Sequence, residues 1–480
     1  MNTNLESLHP TAFWKNFQML CSVPRPSFHE EKAQALVMKF FQDLGYSPVK
    51  DEMGNILVSK PATPGMENSK GVILQAHLDM VPAANAGSTH NFQTDPIKAY
   101  IDGEWVTADG TTLGADNGMG VAAIMTVFED KGLVHGPIEG LITATEESGM
   151  VGAKGLKPGL LKGDILINLD AGTENQLSVG CAGALNSITT VPYTLEAASG
   201  EAFKISVVGL KGGHSGQDIG KGLGNANKIM FRFLKTARPL NVRLASIDGG
   251  NGRNVIPREA FATVVVPKDK VAEFKALVES YTATITLELA ATEPNLQFLI
   301  EPGKADQVMK MDNQKTLVNL VCGFPNGVIR MSDDMPGLIE TSNNIGMVKS
   351  DNGVVKITCM MRSSIQSAKE TVGEMIASIS ELAGVETELS GNYYGWRLNL
   401  NSEILKIMKT VFKEKFGYDP IIKARHSGLE CGTFTMSYPH LDIIAFGPVI
   451  IDLHSPDERV HIPSVGKFMD LLTATLANVK

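Results

Sequence analysis

Residues 71–82, GVILQAHLDMVP, carry the reading on which the rest depends. Val72, Ile73 and Leu74 form an apolar run that leads into His77, Leu78 and Asp79 and breaks at Pro82. A short aliphatic, β-branched stretch closed by a turn former predicts a buried strand. Side chains two apart on a strand share a face, so His77 and Asp79 are expected side by side. An imidazole beside a carboxylate fixes a metal-ligating tautomer: one ring nitrogen binds metal and the other donates to the carboxylate. The same letters also describe a histidine in a polar loop with an incidental acidic neighbour, and the rest of the chain has to arbitrate.

Moving outward, residues 28–44 (FHEEKAQALVMKFFQDL) repeat apolar positions at helical spacing and stop at Gly45. Residues 113–120, LGADNGMG, form a tight entry to a helix that continues through VAAIMTVFED. Asp116 there reads as an ordinary helix cap, but glycines on both sides exceed what a cap needs and allow close approach to something bound. A strand at 138–145 (IEGLITAT) delivers Glu146 and Glu147. Adjacent carboxylates repel unless a cation or a shared proton offsets them, or unless water solvates both. The apolar DILINLD ends on Asp170, and the far end of such a strand faces a crevice in an open α/β sheet. IDLHSPDERVH near the C-terminus carries His454 and His461.

The pattern changes from about residue 184. AFKISVVGL, a GGHSG turn containing His214, a helix near 222–237, NVIPREAFATVVVP, a helix near 267–281 and the strand ITLELA predict an α+β layer. A second pass of similar type follows, and NVIPREAFATVVV and NNIGMVKSDNGVVKITCMMR resemble each other weakly, as halves of a duplication. The expected organisation is one domain from residues 1–183 plus 396–480, interrupted by an insert at 184–395.

Composition narrows the class. A chain of 480 residues with 43% hydrophobic and 20% charged residues is a globular protein of more than one domain. A net charge of −9 and no basic run argue against nucleic acid and anionic membrane as partners. Five cysteines without CxxC spacing fit free thiols in a reducing compartment. No signal peptide and no membrane-length apolar run are read, so a cytoplasmic protein is expected.

His77, Asp116, Glu147, Asp170 and His454 each fall where a strand or turn meets a Gly- or Pro-marked loop. Two imidazoles with several carboxylates suit a divalent ion, zinc first and manganese or cobalt as substitutes. Five ligands exceed one tetrahedral zinc and suit two ions sharing a carboxylate, with Glu146 left free to take a proton. Together HLDMVP, LGADNGMG, ATEESGM, INLDAG, GGHSG and LHSPDERVHIP resemble the di-zinc aminoacylase/carboxypeptidase-type metallopeptidases, in order and over nearly the whole chain.

That resemblance implies an α/β, di-zinc aminopeptidase-like catalytic domain with an inserted α+β lid domain made of two similar, ferredoxin-like halves. It implies two zinc ions per chain, His77 and Asp170 on one, Glu147 and His454 on the other, and Asp116 bridging. Asp79 orients His77, and Glu146 is the general base acting on a metal-bridging hydroxide. A cis peptide is implied at Asp116–Asn117. His461 is the rival of His454, which aligns with the family's ligand loop. His214 is implied to stabilise the oxyanion, Arg362 to pair with a substrate carboxylate and Ser427-Gly428 to form a carboxylate-binding loop. Asn254 and Asn343 are weaker candidates. His9, His29, His90, His135, His426 and His440 read as ordinary loop or surface residues. The implied activity is hydrolysis of unblocked dipeptides, with a preference for C-terminal histidine, β-Ala-His included. N-acyl amino acid hydrolysis and a non-catalytic peptide-binding scaffold are the alternatives. A doubled lid can supply His214 in cis, which leaves monomer and homodimer both open.

Overall fold

The computed structural model describes residues 2–480. The chain divides into two compact units: Met1–Gly180 with Trp396–Ala424 and Leu429–Lys480, and Cys181–Gly395 with Arg425–Gly428. The division thus falls at Cys181 rather than at residue 184, and a short return segment containing Ser427 joins the second unit.

In the first unit, α1 (Thr11–Cys21) and α2 (Glu31–Asp43) precede β1 (Ile56–Lys60) and β2 (Val72–His77). Ala33, Gln34, Val37 and Phe41 give α2 one buried face. Its run ends at Gly45, which takes a φ of 88°. α3 (Ala115–Glu129) is buried almost all round, from Asn117 to Phe128 apart from Thr126. β3 (Ile138–Thr143) and β4 (Ile165–Asn168) then flank β2, both parallel to it. Every residue of β2 is buried, the expected state of a strand paired on both sides within a covered parallel sheet.

The second unit begins with β5 (Gly183–Pro192) and β6 (Glu201–Val208), followed by α4 (Ala226–Thr236), β7 (Arg243–Gly249) and β8 (Ala260–Val266). α5 (Val271–Leu289) leads to β9 (Gln297–Pro302). After these come α6 (Met311–Gly323), β10 (Ile339–Asp351), β11 (Val354–Ser363), α7 (Gln366–Leu382) and β12 (Glu386–Tyr393).

ITLELA, expected as a strand, is the last turn of α5 and its capping residue Ala290. The alternation of Thr284, Ile285, Thr286 and Leu287 imitates a strand. The buried positions Phe274, Val278, Tyr281 and Ile285 follow helical spacing instead, and Leu287 is 81% exposed.

The nine-stranded sheet of this unit runs β9-β6-β8-β7-β10-β11-β5-β12, with Gly327–Met331 also on β10. β6-α4-β7-β8-α5-β9 and β5-α6-β10-β11-α7-β12 are two copies of one layout, joined edge to edge by the antiparallel pair β7–β10. One copy is nested: β5, the first strand of the second copy, is laid down before the first copy begins.

The chain returns to the first unit with α8 (Glu403–Phe416), α9 (Glu430–Ser437), β13 (Asp442–Ala445) and α10 (Ile462–Asn478). β13 pairs in parallel with β4, so the centre of the eight-stranded sheet is β3-β2-β4-β13. His77 and the carboxylates after β3 and β4 all leave from the carboxyl ends of adjacent parallel strands. Open α/β sheets form their crevice at those ends.

Candidate metal centre

β2 stops at His77, so Asp79 lies in the following turn and not on the strand face. The turn nevertheless brings the two together. His77 Nδ1 stands 3.1 Å from the Asp79 carbonyl oxygen and 3.4 Å from Asp79 Oδ1. A carbonyl only accepts, so the ring proton sits on Nδ1. Nε2 then points at Asp116 Oδ1, 3.0 Å away, and at Asp170 Oδ1, 3.8 Å away.

Asp79 is wholly buried and does more than face the imidazole. Its Oδ1 accepts the Glu146 backbone N–H at 2.8 Å. Its Oδ2 accepts the Glu147 N–H at 3.1 Å and the Ser27 hydroxyl at 2.7 Å. One carboxylate therefore positions both the histidine and the two glutamates. Thr145, just before them, has a φ of 53°, a conformation unusual for a branched residue. Glu30 holds it there, accepting from the Thr145 N–H at 2.8 Å and its hydroxyl at 2.7 Å.

Asp116 interrupts α3 with φ −83° and ψ 107°, and its peptide bond to Asn117 is cis, as the resemblance implied. Glu458 fixes this entry. It accepts the N–H groups of Leu113 and Gly114 at 2.8 Å each and that of Asp116 at 3.1 Å. The glycines here were expected to admit something bound, and the structure gives a different reason for them. A Cβ on Gly120 would stand 2.8 Å from the Ala76 Cβ, and one on Gly118 would stand 2.7 Å from Arg25 Nη2 and 2.9 Å from the Phe17 ring. They let α3 sit against its own chain.

His454 Nε2 lies 2.9 Å from Glu147 Oε1 and 3.5 Å from Asp116 Oδ2. His461 instead packs its ring 4.9 Å from that of Trp105. Among the described residues, three sets of donor atoms each gather within 4.8 Å: His77, Asp116 and Asp170; His77, Glu146 and Glu147; Asp116, Glu147 and His454.

The charges explain what such a cluster needs. Burial drives the carboxyls of Glu146 and Asp170 well above the usual range, with Asp116 a further cause for both. Burial acts on Asp116 in the same direction but is outweighed by its bonds to His454 and His77, which pull it down. Those to Asp116 and Glu147 lift His454 to about 10. Positive charge is favoured at both Nε2 atoms, and a lone pair facing a carboxylate oxygen needs a proton or a cation between them. The donor set of imidazole and carboxylate suits divalent zinc, manganese or cobalt.

Within the second unit, Arg362 is 4% exposed and buried between Ser215, to whose hydroxyl Nε donates at 3.3 Å, and Tyr393, to whose hydroxyl Nη1 donates at 3.2 Å. His214 Nδ1 accepts from the N–H groups of Gly216 and Gln217 at 3.2 Å each, which leaves the proton on Nε2. His426, read as an ordinary loop histidine, is 7% exposed, and its Nε2 lies 2.7 Å from the Ser342 hydroxyl. Burial, with Arg362 beside it, lowers its pKa to about 3. It adjoins Ser427 and belongs to the Arg362 cluster. Asn343 spends its amide on the Pro325 carbonyl at 2.7 Å. The Asn254 carbonyl accepts the Ser215 N–H.

Glu30, Glu458 and His426 were not singled out from the sequence. Glu30 in HEEK and Glu458 in PDER look like solvated surface acids, and only contacts with segments more than a hundred residues away show otherwise.

The sequence profile of peptidase family M20/M25/M40 matches residues 73–478. The cytosol non-specific dipeptidase of Escherichia coli (strain K12) is 46% identical, over 99% of each chain. The crystal structure of aminoacylhistidine dipeptidase from Vibrio alginolyticus superposes with a TM-score of 0.93 at 44% identity, covering 99% of this chain and 98% of that one. Aminopeptidase PepT from Bacillus cereus shares the fold, with a TM-score of 0.57 at 16% identity over 98% of this chain and 99% of its own.

Proposed function

The chain belongs to peptidase family M20/M25/M40, and from that premise we propose that it is a zinc-dependent dipeptidase cleaving unblocked dipeptides, with a preference for C-terminal histidine, β-Ala-His included. The observation that carries this reading is Asp116, whose two oxygens face two different imidazoles, Oδ1 toward His77 and Oδ2 toward His454. A carboxylate so placed suits two cations, with His77 and Asp170 on one side and Glu147 and His454 on the other. Bound there, a zinc pair supplies Lewis-acid polarisation of the scissile carbonyl and lowers the pKa of water.

The chain's own groups do the rest. Asp79 keeps the His77 proton on Nδ1 and holds the Glu146–Glu147 segment by its amides. Glu146 takes a proton from the attacking water and returns it to the leaving amine nitrogen. His214, with its proton on Nε2, is a hydrogen-bond donor suited to the oxyanion. Arg362 and Ser427 are assigned to the substrate carboxylate, for which a buried guanidinium fork is suited. Two similar proteins lend the substrate class: one is named a non-specific dipeptidase and the other an aminoacylhistidine dipeptidase.

The reading includes a cytoplasmic location, in keeping with the name of the E. coli protein, and no helix among the described residues is long and apolar enough to cross a membrane. A monomer and a homodimer both fit this reading, and sedimentation distinguishes them. The deciding experiment counts bound metal and assays a panel of dipeptides. Cleavage of Ala-His and carnosine with two zinc ions per chain is expected. Indifference to a free amino terminus would favour N-acyl amino acid hydrolysis, and no turnover with any metal would leave a binding scaffold.

A further inference from the structure

Below the three strand ends that carry the proposed ligands lies a row of fully buried polar side chains: Asn168, Gln75, Thr143 and Glu430. The Asp170 N–H donates to Asn168 Oδ1 at 3.2 Å, and Asn168 Nδ2 donates to Gln75 Oε1 at 2.6 Å. Gln75 Nε2 donates to Glu430 Oε2 at 2.6 Å, and the Thr143 hydroxyl donates to the same oxygen at 2.8 Å. Glu430 Oε1 has no hydrogen-bond partner among the described residues.

The row has a sequence logic. Gln75 is on β2, two residues before His77; Asn168 is on β4, two before Asp170; Thr143 ends β3, three before Glu146. Glu430, in the first turn of α9, is the one carboxylate among them. Each strand that delivers a proposed ligand is thus tied to its neighbour, and all the donors run toward Glu430. The direction is set at both ends: the Asp170 N–H can only donate, so Asn168 presents Oδ1 to it, and Glu430 supplies the acceptor at the other end. Glu430 Oε2 accepts whether or not the carboxyl carries a proton on Oε1, so Gln75 must present Nε2 to it and Oε1 to Asn168. Asn168 must then present Oδ1 to the Asp170 amide. Without Glu430, Gln75 Nε2 keeps only the Thr143 hydroxyl, 3.2 Å away, and the row loses its short acceptor at that end.

We propose that Glu430 is a positioning residue for the metal centre, terminating a hydrogen-bonded ladder that sets the spacing of the strand ends bearing His77, Asp170 and Glu146. The proposal rests on the reading of His77 and Asp170 as metal ligands. Groups bonded directly to metal ligands typically change metal affinity by about 10- to 100-fold when removed. Asn168 bonds the Asp170 backbone directly, and Glu430 acts on it through Gln75 and Asn168.

The test is zinc and manganese affinity of the full-length metal-free chain, by competition with a chelator, for wild type, E430Q, E430L, N168A and the double variant E430L/N168A. Circular dichroism checks that each is folded. E430L and N168A are expected to bind at least about 10-fold more weakly than wild type. The double variant should be no weaker than the worse single one, because both cut the same ladder. E430Q, whose carbonyl can still accept both donors, should stay within about threefold. Wild-type affinity in either E430L or N168A, additive losses, or E430Q as weak as E430L would overturn the proposal. Should E430L not fold, N168A and E430Q decide it by the same criteria. A wild-type chain that binds neither metal would instead overturn the metal-site reading itself.

Discussion

The substitution D79N puts the proposed role of one side chain to a quantitative test. It keeps shape and turns one carboxylate oxygen into an NH2 group. At the Oδ1 position that group would meet both the Glu146 N–H and His77 Nδ1–H, two donors that cannot turn away. At Oδ2 it would meet the Ser27 hydroxyl, which can rotate and accept, and the Glu147 N–H, which cannot. The amide therefore settles with NH2 at Oδ2, and one part-buried backbone N–H, that of Glu147, is left without an acceptor. Such a loss costs about 1–3 kcal/mol. At about 1.4 kcal/mol per decade, that is roughly a 5- to 150-fold effect. It falls on the segment bearing Glu146 and Glu147, so it should appear in zinc affinity, read by chelator competition, and in the urea midpoint of the metal-free protein. S27A should cost less in the D79N background than in wild type, since the hydroxyl has changed from donor to acceptor. A D79N protein with wild-type zinc affinity and wild-type urea midpoint would refute the reasoning.

E146Q should keep its metal content while turnover falls by on the order of 10²–10⁴, measured by metal analysis beside a dipeptide assay. H454A should lose metal where H461A keeps it, because His461 packs on Trp105 and not on the carboxylates. R362A should raise KM for dipeptides more than it lowers kcat, and a C-terminally amidated dipeptide should show no difference between R362A and wild type. His426 is neutral when folded down to about pH 3 but protonates near 6.5 when unfolded. Its contribution to stability is therefore complete above pH 6.5 and is lost as pH falls toward 3. H426Q should flatten the fall in the urea midpoint between pH 7 and 4, and an unchanged slope would show that the imidazole stays solvated.

Much of the first unit was legible because its strands are continuous apolar runs and its helices have one-sided periodicity. Val72–His77 and Ile165–Asn168 appear where their aliphatic runs placed them. The sequence was misleading where two periods overlap, as in the β-branched end of α5, and where a duplication is nested, since similarity in linear order cannot say which strand completes which half. The glycines of LGADNGMG were legible as places of close approach but not as to what approaches, because Phe17, Arg25 and Ala76 come from elsewhere in the chain.

Residue types and loop positions named the candidate ligands in advance, because a donor atom's chemistry belongs to the amino acid and the end of an apolar strand shows in its letters. Which of them meet, and what holds them, followed only from the folded chain. Glu458 gripping the backbone before Asp116, Glu30 holding Thr145, and Glu430 closing a ladder from Asp170 are contacts between distant segments. In sequence each is an acid among polar neighbours. Burial makes it an obligatory acceptor, and burial is a property of the whole packed unit.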